Sequence, residues 1–299
     1  NFPQGSQVGT PDLILSMPEP YLHEGDMTDQ YQVFILPTEF ETDMTVRSLE
    51  VRPQNGVIAH HAILGLDTEG IAAQMDAQDP DPGYESFGDF GFDAYSSFFG
   101  GWVPGTLPVV YPEGIGRVIP AGSDLLIQMH YGPYSADESD QTELNVFFTE
   151  APVEREVETG IMGPWDLSEP FFIPAGQVKV FHGEYPVWDD VSLINIVPHC
   201  HLIGVSWEVF ATSADGNDTI PLISIPEWDF NWQGFFTFPT LTKIPAGYTI
   251  EAIAAYDNTA DNPFNPSSPP QNVVYGDNTE DEMFFVFVDY VPYQEGDEN

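Results

Sequence analysis

Basic residues are nearly missing from this chain. Six Lys plus Arg stand against 48 Asp plus Glu in 299 residues, a formal net charge of −42. Such a surface repels nucleic-acid phosphates and anionic membrane headgroups, so neither is expected as a partner, and self-repulsion makes a monomer the expectation. Cysteine is scarce as well, and the single Cys200 has no partner for an intrachain disulfide. No apolar run reaches the roughly 18 residues that a membrane span needs. Helical periodicity is rare, and 28 Pro with 26 Gly leave little room for long helices. No initiator Met or signal segment precedes Asn1, and a processed chain is expected.

What is present suffices for a core. Hydrophobic residues make up 42% and aromatics 14%, spread along the whole length, which sets the chain apart from acidic disordered sequences. The acid excess reads as a solvated surface, because no Asp-x-Asp-x-Asp-Gly calcium loop occurs.

Short alternating or apolar runs bounded by Gly, Pro, Asn and Asp predict an all-β protein of two sandwiches. Strands are expected at Asp12–Met17, Tyr31–Leu36, Thr45–Val51, Val57–Leu66, Leu193–Val197, Trp207–Ala211 and Val286–Val291. A long irregular stretch is expected from Ala72 to Gly101, and a frayed tail from Gln294. The pattern Ile-Pro-Ala-Gly occurs at 119–122, 173–176 and 244–247, each before an apolar strand, which predicts equivalent turns. Loss of alternation between Thr149 and Glu158 puts a boundary there, giving domains 1–152 and 153–299.

The candidate chemistry centres on Pro198-His199-Cys200-His201. On an extended strand His199 and His201 project from one face, a two-nitrogen metal clamp, while Cys200 turns away as a buried thiol. His60-His61 and His130 form further candidates, although adjacent His60 and His61 share one ion only where the strand twists or bulges. Gln128 lies two residues before His130 and is expected to hydrogen-bond behind the ligands. His23 and His182 read as satisfied core histidines, and Trp228–Gln233 as sandwich core. Imidazoles suit Cu, Zn, Fe or Ni alike, whereas a thioether favours Cu(I), so Met283 decides the metal. Its bland alternative is packing beside Phe284 and Phe285.

Taken together, His60-His61, Trp102-Val103-Pro104-Gly105, Tyr111-Pro112-Glu113, Gln128-Met129-His130-Tyr131, His199-Cys200-His201 and Asp281-Glu282-Met283 resemble, in this order, the copper type II ascorbate-dependent monooxygenases. Bacterial members resemble the chain further through Trp228–Gln233 and Tyr256-Asp257-Asn258. The resemblance implies two jelly-roll-like β-sandwich domains facing each other across a cleft, and two copper ions. His60, His61 and His130 would hold the electron-transfer copper, with Gln128 behind them. His199, His201 and Met283 would hold the catalytic copper. The implied reaction is hydroxylation of an activated C–H bond of a small molecule by O2, with electrons from ascorbate or a similar donor. A secreted or periplasmic location follows from the same resemblance.

Departures from the family pattern are informative. Peptide-hydroxylating members hold a substrate carboxylate with Arg, Asn and Tyr at positions that here read Val197, Phe285 and Phe287. That change predicts an apolar or aromatic substrate. Two further readings stand beside the enzyme: a copper-binding or electron-transfer protein without turnover, and an adhesion or carbohydrate-binding sandwich.

Overall fold

The computed structural model describes residues 5–94 and 96–299. Strands dominate, as expected for an all-β chain. Among the described residues, the helices are Ile71–Asp76 and a 3-10 turn at Pro164–Asp166. No helix among the described residues is long and apolar enough to cross a membrane.

The chain divides into Asn1–Glu156 and Val157–Asn299. Unit 1 has eight principal strands: β1 (Leu13–Ser16), β2 (Gln30–Leu36), β3 (Met44–Arg52), β4 (Ala59–Asp67), β5 (Ser96–Trp102), β6 (Ile115–Ile119), β7 (Asp124–Tyr131) and β8 (Glu143–Phe148). They form two sheets, ordered β1-β8-β3-β6 and β2-β7-β4-β5. Unit 2 repeats the plan with β9 (Glu158–Met162), β10 (Val178–Pro186), β11 (Val191–His199), β12 (Gly204–Thr212), β13 (Thr219–Ile225), β14 (Phe236–Ile244), β15 (Thr249–Asp257) and β16 (Phe285–Pro292). Its sheets run β9-β16-β11-β14 and β10-β15-β12-β13. Counted within its own unit, each therefore runs 1-8-3-6 in one sheet and 2-7-4-5 in the other.

Period-two burial explains why these segments pair. In β15, Ile250, Ala252, Ala254 and Tyr256 are buried and the residues between them are not. Each unit closes on its own core. In unit 1, Phe34, Leu64 and Ile127 of one sheet meet Val46, Ile119 and Leu144 of the other. In unit 2, Leu193, Ile196, Val286 and Val288 meet Phe181, Val209, Ala252 and Ala254. Each large side chain so buried contributes about 1.5–3 kcal/mol, and this packing holds a chain that has no disulfide.

The Ile-Pro-Ala-Gly turns confirm the repeat. Gly122, Gly176 and Gly247 take φ of 72°, 73° and 83°, the left-handed region that glycine adopts without penalty. The next residue in each donates to the Pro carbonyl, and each Ala N–H donates to an Asp or Asn side chain. Two of the turns join the sixth and seventh strands of their units. There Ala121 is held by Asp43 and Ala246 by Asp190, residues that immediately precede the third strands.

Three expectations need correction. The boundary falls at Glu156/Val157 rather than 152/153, because Arg155–Glu156 pair in parallel with Ile115–Gly116 and extend a sheet of unit 1. The stretch from Ala72 to Gly101 is not irregular throughout; it contains most of a helix, a short strand at Tyr84–Glu85 and β5, while Tyr95 lies outside the described residues. Asp67 caps that helix, accepting from Glu69, Gly70 and Ala72 N–H groups. The tail is tied back, since the buried Ser192 hydroxyl donates to Asp297 at 2.6 Å.

Phe284 tests this packing. Fully buried, its ring lies 4.9 Å from that of Trp207. Phe284→Ala is expected to lower the stability of unit 2 by about 3–5 kcal/mol, read from the midpoint of denaturant unfolding.

Candidate metal centres

In unit 1 the histidines come from neighbouring strands, β4 and β7. Ala59 pairs with Tyr131 and His61 with His130, so the register slips and His60 is the extra residue of a bulge. That bulge turns two adjacent side chains to the same point. Nδ1 of His61 lies 3.2 Å from Nδ1 of His60 and 3.4 Å from Nδ1 of His130. All three rings offer a nitrogen within 4.8 Å of the others, a spacing that suits one shared cation.

The His130 tautomer is fixed from behind. Asp29 Oδ1 lies 2.7 Å from Nε2, and a carboxylate only accepts, so Nε2 carries the proton and Nδ1 the lone pair. Tyr31 stacks on the His130 ring at 4.1 Å and 10°, and Phe87 leans on Tyr31 at 4.5 Å. Gln128 shares the strand but not the expected role. Its amide N–H groups donate to the carbonyls of Ser86 and Asp89, so it anchors the loop that carries Phe87 instead of bonding a histidine.

In unit 2, His199 ends β11 and His201 follows it, their ring centroids 5.2 Å apart. Gln233 Oε1 accepts from His199 Nδ1 at 2.5 Å, while the Gln233 amide N–H donates to the Phe230 carbonyl and so fixes which way the amide points. The Asp281 carbonyl accepts from His201 Nδ1 at 3.1 Å. With Nδ1 committed as donor, Nε2 of each ring carries the lone pair. Burial holds His199 below the usual imidazole range and so favours the neutral ring, while the bond to Gln233 partly offsets this.

Met283 belongs to the segment that Glu282 clamps to this turn. The buried Glu282 carboxylate accepts from the N–H groups of His201 and Ile203, both at 2.8 Å, and of Met283 at 3.1 Å. Burial pushes its pKa up to about 8 despite those bonds. Glu282 and Phe284 are buried while Met283 and Phe285 are only partly so, hence Met283 points away from the core that claims Phe284.

Cross-strand neighbours share a face, and register pairs His199 with Phe285 and Val197 with Phe287. Phe285 stacks on Phe287 at 5.6 Å and 24°, and Trp165 and Tyr275 meet it edge-on at 5.6 and 6.1 Å. An aromatic wall thus adjoins His199.

Cys200 turns inward as alternation requires. It is buried, accepts from Trp207 Nε1 at 3.2 Å, and burial drives its thiol pKa well up. His182 is satisfied as expected, bonding Glu251 at 2.9 Å, but it is not in the core: its side chain is 37% exposed. His23 departs from expectation: it is fully buried, and neither ring nitrogen has a partner. It packs as a ring against the edge of Tyr131. Trp228–Gln233 is sandwich core only in part, through Trp228, which packs against the core of unit 2. The segment is a loop that grips both histidines, with Trp228 Nε1 donating to the His201 carbonyl, Phe230 edge-on to the His201 ring, Gln233 bonded to His199, and Trp232 76% exposed. Asp29 escaped sequence reasoning, since one carboxylate among 48 Asp plus Glu carries no local pattern, and Gln233, though part of the Trp228–Gln233 motif, gave no sign that it would bond His199.

No protein-family model matches the chain, and no curated protein matches it. Solved structures similar to it include the infectious bursal disease virus VP2 subviral particle, at 11% identity and TM-score 0.26, covering 96% of this chain and 74% of that one. The Gt strain of that virus matches at 11% and 0.21 over 96% and 82% of the two chains. Paenibacillus xanthan lyase matches at 11% and 0.21, over 92% and 25%. Scores this low carry no argument about fold or function.

The inward thiol yields a test. Cys200→Ser is expected to keep the metal content of the unaltered chain while losing about 1–3 kcal/mol of stability. Metal analysis beside thermal unfolding checks it, and a lost equivalent of metal would make Cys200 a ligand.

Proposed function

We propose that this chain is a copper type II, ascorbate-dependent monooxygenase that hydroxylates an activated C–H bond of a small apolar or aromatic substrate. The observation that carries this reading is the bulge-driven convergence of His60, His61 and His130, in a chain that also sets His199 and His201 beside the Met283 segment. The donor sets fit copper: three imidazoles accept either oxidation state, and adding a thioether to two imidazoles favours Cu(I). When bound, copper supplies one-electron transfer and the activation of O2.

The chain's own residues supply position and environment. Gln233 and the Asp281 carbonyl hold His199 and His201 in the Nε2-ligating tautomer. Val197, Phe285 and Phe287 give the substrate an apolar surface beside His199 and offer no cation to a carboxylate. The same aromatic wall motivates the second reading, a copper protein that kept its ligands and lost turnover.

Copper counting with X-ray absorption on the anaerobically reduced protein tests the proposal. Two coppers per chain are expected, with a copper–sulfur distance that vanishes in Met283→Ala. Oxygen uptake with ascorbate should accompany hydroxylation of apolar aromatic compounds, and a glycine-extended peptide at micromolar concentration should not turn over. Two coppers with no uptake against any candidate would favour the second reading. One copper without sulfur would sink the first. Ascorbate is an anion approaching a chain of formal charge −42, so its reduction of the bound metal is expected to accelerate as salt rises from about 10 to 500 mM in stopped-flow traces.

A further inference from the structure

We infer that Asp29 is a positioning residue for the three-histidine centre and that its charge biases that centre toward the oxidised ion. The inference rests on reading the centre as a copper site. Asp29 immediately precedes β2, whose Tyr31 pairs in register with His130 of β7, so the carboxylate arrives at the outer end of the imidazole. The hydrogen bond is 2.7 Å long, with the ring 2% and the carboxylate 11% exposed. Little water screens it.

Two effects follow. Geometrically, the carboxylate and the stacked Tyr31 ring hold His130 in one rotation and one tautomer, with Nδ1 aimed at His60 and His61. Electronically, an anionic acceptor on the far N–H makes the imidazole a stronger donor, which favours Cu(II) over Cu(I). The groups holding His199 and His201, an amide oxygen and a backbone carbonyl, are neutral, and the thioether expected there favours Cu(I). The two ligand sets are therefore tuned in opposite directions.

The test uses the full chain carrying His199→Ala and His201→Ala, so that only the three-histidine centre loads. Asp29→Asn keeps an acceptor of the same shape and removes the charge; Asp29→Ala removes both. Cu(II) affinity is expected to fall about 10-fold in Asp29→Asn and up to about 100-fold in Asp29→Ala, and the Cu(II)/Cu(I) midpoint potential to rise in both. Affinity and potential unchanged in both variants would overturn the inference while leaving the copper reading intact. A parent chain that binds no copper at this centre would overturn the two together.

Discussion

A buried carboxylate holds the second centre together. Glu282 is 1% exposed and gathers the backbone N–H groups of His201, Ile203 and Met283 onto its two oxygens. Neither partner segment is fixed there by long strand pairing: β11 has ended at His199, and β16 does not begin until Phe285. Glu282 thus ties the His-x-His turn to the Met283 segment, together with the His201–Asp281 bond and the His199–Phe285 strand pair. Burial resists its ionisation, and donation from several N–H groups opposes that resistance. The loop from Trp228 to Gln233 then closes on the same turn from another direction, so the turn is braced from two sides.

The two units share a winding but not a site. The 1-8-3-6 and 2-7-4-5 strand orders recur, as does the Asp-anchored Ile-Pro-Ala-Gly turn between the sixth and seventh strands. In unit 1 the histidines sit on the fourth and seventh strands of one sheet. In unit 2 His199 ends the third strand and His201 follows it, with Met283 ahead of the eighth, in the other sheet. A common scaffold thus carries two different attachments. The bulge at His60 is a local departure from the shared plan, and the extra residue is what brings together two neighbouring rings that would otherwise point apart.

Much of this was legible in the chain. Alternation and turn residues marked the strands named in advance to within a few residues, and the same alternation placed Cys200 inward and His199 outward. Rare residue types stood out: seven histidines and one cysteine are easy to follow, and five of the histidines do cluster. What stayed hidden depends on long-range partners with common side chains. Asp29 meets His130 across 101 residues and Glu282 meets His201 across 81. Gln128 sat at the expected spacing yet bonds loop carbonyls, because two residues on one strand face need not seek the same partner. The helix at Ile71–Asp76 was missed because its cap, Asp67, lies in the preceding strand.

The choice of ring nitrogen differs between the centres, and it sets a lever arm. In unit 1 the nitrogens that converge are Nδ1, next to the Cβ branch of each ring, so an ion there would hang close against the sheet. In unit 2 the Nδ1 atoms are spent on Gln233 and Asp281, which leaves the far tips of the rings to reach outward. The two units thus differ in which end of an imidazole faces its own backbone.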